Sequence, residues 1–174
     1  MRFARGALLA AFLVAALRPE LPRYRAEREL RAATDAIRYV VTHPRDFPDP
    51  AAALDRIALV AAAAEAPLPG DPRPVVLEGS ARLIQGEAQR ALEIYRRALS
   101  LGERAETDLN LARAYERLGR EPEARAAFLR AAWVSPVLLR AMLPDVAATA
   151  AAEMARLERE LKAGKLSAPP PLPE

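Results

Sequence analysis

An all-α fold is predicted by three features of the sequence. Hydrophobic residues make up 52% of the chain but aromatics only 5%, so alanine supplies much of the apolar content. Alanine is the best helix former, and its small side chain lets helix backbones approach closely. Glycine is scarce, and most of the prolines fall between apolar-periodic segments rather than inside them. Strand signals are nearly absent, since no Asn-Gly or Asp-Gly turn separates alternating β-branched runs. A chain of 174 residues is long enough for one domain with a real core and hardly for two.

The charge pattern excludes some partners. Formal net charge is +3, from 26 basic and 23 acidic side chains. Mixed signs along helices describe solvated faces rather than a nucleic-acid footprint, and no basic stripe is interleaved with aromatics, so no nucleic acid is expected. The absence of cysteine excludes disulfides, thiolate metal sites and a cysteine nucleophile.

In chain order, residues 1–17 begin with Arg2 and Arg5 and continue as an uncharged stretch from Gly6 to Leu17. A basic n-region before an apolar h-region is how an export signal begins. Residues 1–18 are therefore expected to form an apolar N-terminal helix, acting as a cleaved signal peptide or an uncleaved signal anchor. Arg18, Arg23, Arg25, Arg28 and Arg31 follow it, and positive charge tends to stay cytoplasmic, so the opposite orientation stays open. The reading favours a membrane-anchored or exported domain, periplasmic rather than cytoplasmic.

Pro19 and Pro22 are expected to separate that segment from the helical domain, residues 23–164. Residues 24–42 read as a helix with Leu30, Ala33, Ile37, Val40 and Val41 as its apolar stripe, stopped at His43-Pro44. His43, the single histidine, reads as a polar residue at a helix C-terminus, because no cysteine or second histidine completes a site. Asp49 and Pro50 mark the start of the next helix, residues 51–66, with Leu54, Ile57, Ala58 and Ala61 on its packing face. Together, residues 24–66 form a divergent hairpin, and residues 67–74 an extended linker.

From Val75 the pattern sharpens. Gly79 falls where helices cross, Gly86 in a turn, and Ala91, Tyr95 and Ala98 on one face of a second helix. Gly119, Ala124, Phe128 and Ala131 repeat the series at one constant offset, after a first helix bearing Leu111, Ala112 and Tyr115. A small–aromatic–small pattern recurring at a fixed period indicates repeat architecture. These residues, with Pro136, resemble the tetratricopeptide repeat (TPR), a helix–turn–helix unit of about 34 residues. Two repeats are delimited, residues 72–104 and 105–138. Glu78, Arg82, Glu103 and Asp108 depart from the family pattern, which prefers apolar residues or, at Glu103, proline.

Residues 137–142 begin like another first helix but stop at Pro144. A capping helix, residues 145–163, follows with Val146, Ala150, Met154, Leu157 and Leu161 on one face, ending at Gly164. The tail, residues 165–174, is Pro-rich and reads as extended or disordered; its PPPLP also has the form of a polyproline ligand.

The resemblance implies a short right-handed α-solenoid of antiparallel hairpins, whose first helices line a concave groove. By family geometry, Val76, Ser80, Leu83 and Ile84 of one repeat and Leu109, Asn110, Arg113 and Arg117 of the next face that groove. The implied partner is another protein, bound as a peptide or a helix. Trp133, the single tryptophan, reads first as core packing and second as an exposed edge anchor. No nucleophile elbow surrounds any serine, no phosphate loop is present, and no metal-ligand spacing occurs, so catalysis, cofactors and metals are not expected. Two functions are expected: an adaptor, or a structural subunit of a cell-envelope assembly for secretion, pilus formation or polysaccharide export.

Overall fold

A computed structural model describes residues 20–165 and 168–173. The expected signal or anchor, residues 1–18, lies outside the described residues. Within them the chain is all-α: seven α-helices, two short 3-10 segments and no strand. No helix among the described residues is long and apolar enough to cross a membrane.

Helix α1 spans Glu20–Thr42 and so starts earlier than expected. Pro22 does not break it, because the first turn has no intrahelical acceptor for an N–H that proline lacks. Ala26, Leu30, Ala33 and Val40 are buried, Ile37 is half-buried, and Val41 is exposed, one position off the stripe. A 3-10 turn, Pro44–Asp46, leads to α2, Pro50–Glu65. Asp49 caps α2 as expected, its Oδ1 accepting from the Ala52 N–H at 2.9 Å.

The stretch 67–74 is not an extended linker throughout. Helix α3 already begins at Pro72 and runs to Ile84, with the Asp71 carboxylate accepting from the Arg73 N–H at 2.9 Å. Pro72 and Pro74 fall in the tolerant first turn, so proline content alone misplaces this helix start. Helices α4 (Ala88–Ser100), α5 (Ala105–Arg117) and α6 (Glu121–Val134) follow. Gly86 and Gly119 turn the chain between paired helices at φ +87° and +70°, where a side chain would be strained.

Residues 137–142 form no regular helix; a 3-10 segment, Pro136–Ala141, precedes α7, Pro144–Lys162. On α7, Ala150, Met154 and Leu157 are buried, whereas Leu161 is exposed because the helix has run past its neighbour.

Consecutive helices pack on one another along the chain, and α1 also touches α3, as α3 touches α5. The two larger apolar clusters follow the chain. One joins α1, α2 and α3 through Leu30, Leu54, Ile57, Ala61, Leu77 and Ala81. The other joins α3 to α6 through Leu92, Tyr95, Leu111, Tyr115, Phe128 and Ala131. Complete burial of a side chain such as Leu92 or Leu111 contributes roughly 1.5–3 kcal/mol.

Three of the four departures from the repeat pattern are resolved by arginine–carboxylate contacts. Arg82, nearly buried, donates to Asp55 of α2 at 2.6 Å and to Gln85 at 2.9 Å. Glu78 accepts from Arg97 at 2.8 Å, and the same guanidinium grips Glu65 of α2 with two bonds. Glu103 takes both Nε and Nη2 of Arg130, at 2.5 and 2.6 Å. These pairs join residues 19 to 32 positions apart, which apolar contacts at the same positions would do less selectively. Asp108 has no such partner: it is fully buried and neither carboxylate oxygen accepts a hydrogen bond among the described residues.

Candidate functional site

Helices α1, α3 and α5, the first helices of the three hairpins, converge on one cleft of about 610 Å³. Leu30 and Ile37 of α1 and Val76 and Leu77 of α3 supply its apolar lining. Arg31, Arg73 and Arg104 bring positive charge, set against Asp35 and Glu106. Thr34, Ser80 and Thr107 bring hydroxyls. The site is thus an apolar trench with a mixed but net-positive edge.

The polar groups differ in how far the fold satisfies them. Arg73 is committed: it bonds the Asp71 carboxylate with Nε and reaches Glu27 of α1 at 2.7 Å, clamping α1 to α3. Those bonds, with Arg104 nearby, hold the Asp71 carboxyl below the usual carboxylate range. Arg31 and Arg104 are exposed and form no ion pair with the described residues. The Ser80 hydroxyl donates to the Val76 carbonyl at 2.8 Å and receives the Tyr95 hydroxyl at 3.2 Å. The Thr107 hydroxyl is buried and has no partner among the described residues.

The expected groove residues divide into four groups. Val76 and Ser80 line the cleft. Leu83 and Leu109 belong to the core instead, at 6% and 4% exposure, where they pack with Tyr95 and Tyr115. Ile84 is exposed but does not line the cleft. The remaining three polar positions are drawn into the fold's own contacts or lie beside them. Arg113 donates to Asn110 at 3.2 Å and to the Ala141 carbonyl at 2.9 Å, while Arg117 donates to the Leu83 carbonyl at 2.5 Å. The 3-10 segment that supplies Ala141 packs against α5. Trp133 is half-buried against Ala132, Ala150 and Met154, the core position named first for it.

Sequence reasoning missed Arg31, Thr34, Arg73, Arg104 and Thr107. One signal was present: the constant repeat offset that pairs Gly86 with Gly119 also pairs Arg73 with Glu106. The residues of α1 carried no such mark, because the first hairpin lacks the glycine and aromatic landmarks.

No group of three metal-capable side chains occurs among the described residues. His43 is exposed, stacked on Tyr39 with ring centroids 4.5 Å apart, and its Nδ1 is 2.7 Å from the Thr42 hydroxyl. The strongest electrostatic perturbation is at Asp108. Burial, then the neighbouring Glu103, pushes its carboxyl up to about 7, although Arg130 acts in the opposite sense.

No family model, no curated protein and no solved structure matches this chain.

Proposed function

We propose that this protein is a non-catalytic interaction module, a short TPR-like α-solenoid that binds a peptide or helix of another protein. The observation that carries the reading is the cleft shared by α1, α3 and α5, an apolar trench between exposed arginines at the meeting of three first helices. The constant spacing of Gly86, Ala91, Tyr95 and Ala98 from Gly119, Ala124, Phe128 and Ala131 supports the solenoid, as do the α1–α3 and α3–α5 contacts. In this reading an apolar side chain of the ligand enters between Leu30, Ile37 and Val76, and Arg31 and Arg104 meet a carboxylate.

Selection of a displayed random-peptide library on the full chain tests this. Enriched peptides should combine an apolar anchor with Asp or Glu, and Val76→Glu with Arg31→Glu should weaken them at least about tenfold while the circular dichroism spectrum is kept. Enrichment that ignores both substitutions would refute the site.

The tether belongs to the proposal through the basic and apolar residues 1–17, with the domain outside the cytoplasm. A reporter that works only outside the cytoplasm, fused after Glu174, checks that arm separately.

A further inference from the structure

The tail returns to the body of the protein. Pro170 is buried, and Leu172 is half-buried against the cluster that contains Tyr95, Tyr115 and Phe128. The Arg130 guanidinium of α6 donates from Nη1 to the Pro170 carbonyl at 3.0 Å. The Tyr115 hydroxyl of α5 donates to the Pro173 carbonyl at 3.5 Å and itself receives Nη2 of Arg96, from α4, at 3.1 Å. The two accepting carbonyls are three residues apart in the sequence Pro170-Pro171-Leu172-Pro173. A polyproline helix has about three residues per turn and no internal hydrogen bonds, so carbonyls at that spacing point to one side and stay available to donors. Proline-rich chain also has little conformational freedom to lose on binding.

We propose that Arg96, Tyr115 and Arg130 form a second binding surface, for proline-rich peptides of P-x-x-P form, and that residues 170–173 are its intramolecular occupant. Arg130 and Tyr115 read the two carbonyls, and the apolar cluster between them receives the side chain before the second proline. Glu103 holds Arg130 from the other side, which keeps its remaining Nη1 directed to the ligand. At the Tyr115 end stand two arginines, of which Arg120 is already paired with Glu123 at 2.6 Å. The Arg120 guanidinium carbon lies 4.8 Å from the Tyr115 ring centroid and that of Arg96 6.0 Å. An acidic residue just beyond the second proline of the ligand therefore favours binding.

A terminal strap that merely packs would make the same contacts but would not exchange. The test uses the full chain carrying Leu172→Glu, which removes the apolar anchor of the tail, and a fluorescein-labelled peptide of residues 165–174. By anisotropy the peptide should bind this variant at least about tenfold more tightly than the wild-type chain, whose own tail competes at an effective concentration near millimolar. The same peptide carrying the glutamate should not bind. Equal affinity for both chains, or none for either, overturns the proposal. A second measurement does not depend on that variant. The chain has no cysteine, so Ala168→Cys accepts a single nitroxide label. Amides of α4 and α6 should be broadened by the label and recover when excess unlabelled peptide is added. Broadening that excess peptide does not relieve identifies a fixed strap and overturns the exchange.

Discussion

The Tyr95 ring lies directly across Gly79: a Cβ built on that glycine would stand 2.7 Å from the ring Cε1. Tyr95 is itself fully buried, and its hydroxyl is tied to Ser80, one residue along from the glycine. This contact sets how closely α3 and α4 approach. Alanine in place of Gly79 gains about 1 kcal/mol of helix propensity, but overpacking a closed core costs typically about 1–3 kcal/mol. Gly79→Ala is expected to lose up to about 2 kcal/mol in urea unfolding, and a gain in stability would mean that the ring has room to move.

Tyr115 and Phe128 test the larger cluster. Tyr115 is fully buried and Phe128 is 6% exposed. Each truncation to alanine is expected to cost about 3–5 kcal/mol. A loss below about 1 kcal/mol for both would remove the packing assignment.

The buried Asp108 predicts a pH dependence. Its folded-state pKa is raised from 3.8 to about 7, so the folded chain holds a proton that the unfolded chain releases. Stability contributed by this group is then greatest below about pH 4 and is lost as pH rises towards 7, by an amount on the order of 4 kcal/mol. The groups facing it are Glu103 and Glu106, which reinforce the shift, and Arg130, which opposes it. Asp108→Asn should abolish this part of the pH profile and be more stable than wild type at pH 8. Parallel profiles of the two proteins between pH 4 and 8 would contradict the burial of an ionisable carboxyl.

Arg82 and Asp55 separate a structural ion pair from a decorative one. The Arg82 side chain is 11% exposed, whereas both partners of the Arg125–Glu121 pair are at least 70% exposed. Asp55→Ala leaves a mostly buried guanidinium with Gln85 and a more distant Glu87, and is expected to cost about 1–2 kcal/mol. Glu121→Ala should cost less than about 0.5 kcal/mol. Equal losses from chemical denaturation would show that the α2–α3 tie contributes little.

Much of the fold was legible because its signals are local. The cap at Asp49, the stop at Gly164 and the apolar faces of α2 and α4 follow from residues within a turn or two of each other. Prolines misled twice, at Pro22 and at Pro72, since a proline in the first helical turn resembles one that ends a segment. The site was less legible. Val76 and Ser80, which line the cleft, were named through the geometry that the family resemblance implies, whereas Arg31 and Thr34 were not, because α1 carries no repeat landmark to fix its orientation.

Sequence alone determined the helical class, the approximate helices and the recurrence of Gly86, Tyr95 and Ala98 at Gly119, Phe128 and Ala131. Periodicity and capping act over a few residues, so the chain needs no tertiary contact to declare them. Tertiary structure decided which charges would be consumed. Arg82 reaches Asp55, Arg97 reaches Glu65, and Arg130 reaches Glu103, across 27, 32 and 27 residues. It also decided that Arg113 and Arg117 bond carbonyls of their own chain, that Asp108 is sealed in beside Glu103, that Pro170 returns to Arg130 and that Leu172 returns to the cluster around Tyr115. Each depends on which helices become neighbours, and a side chain's burial and partner are properties of that neighbourhood rather than of the residue.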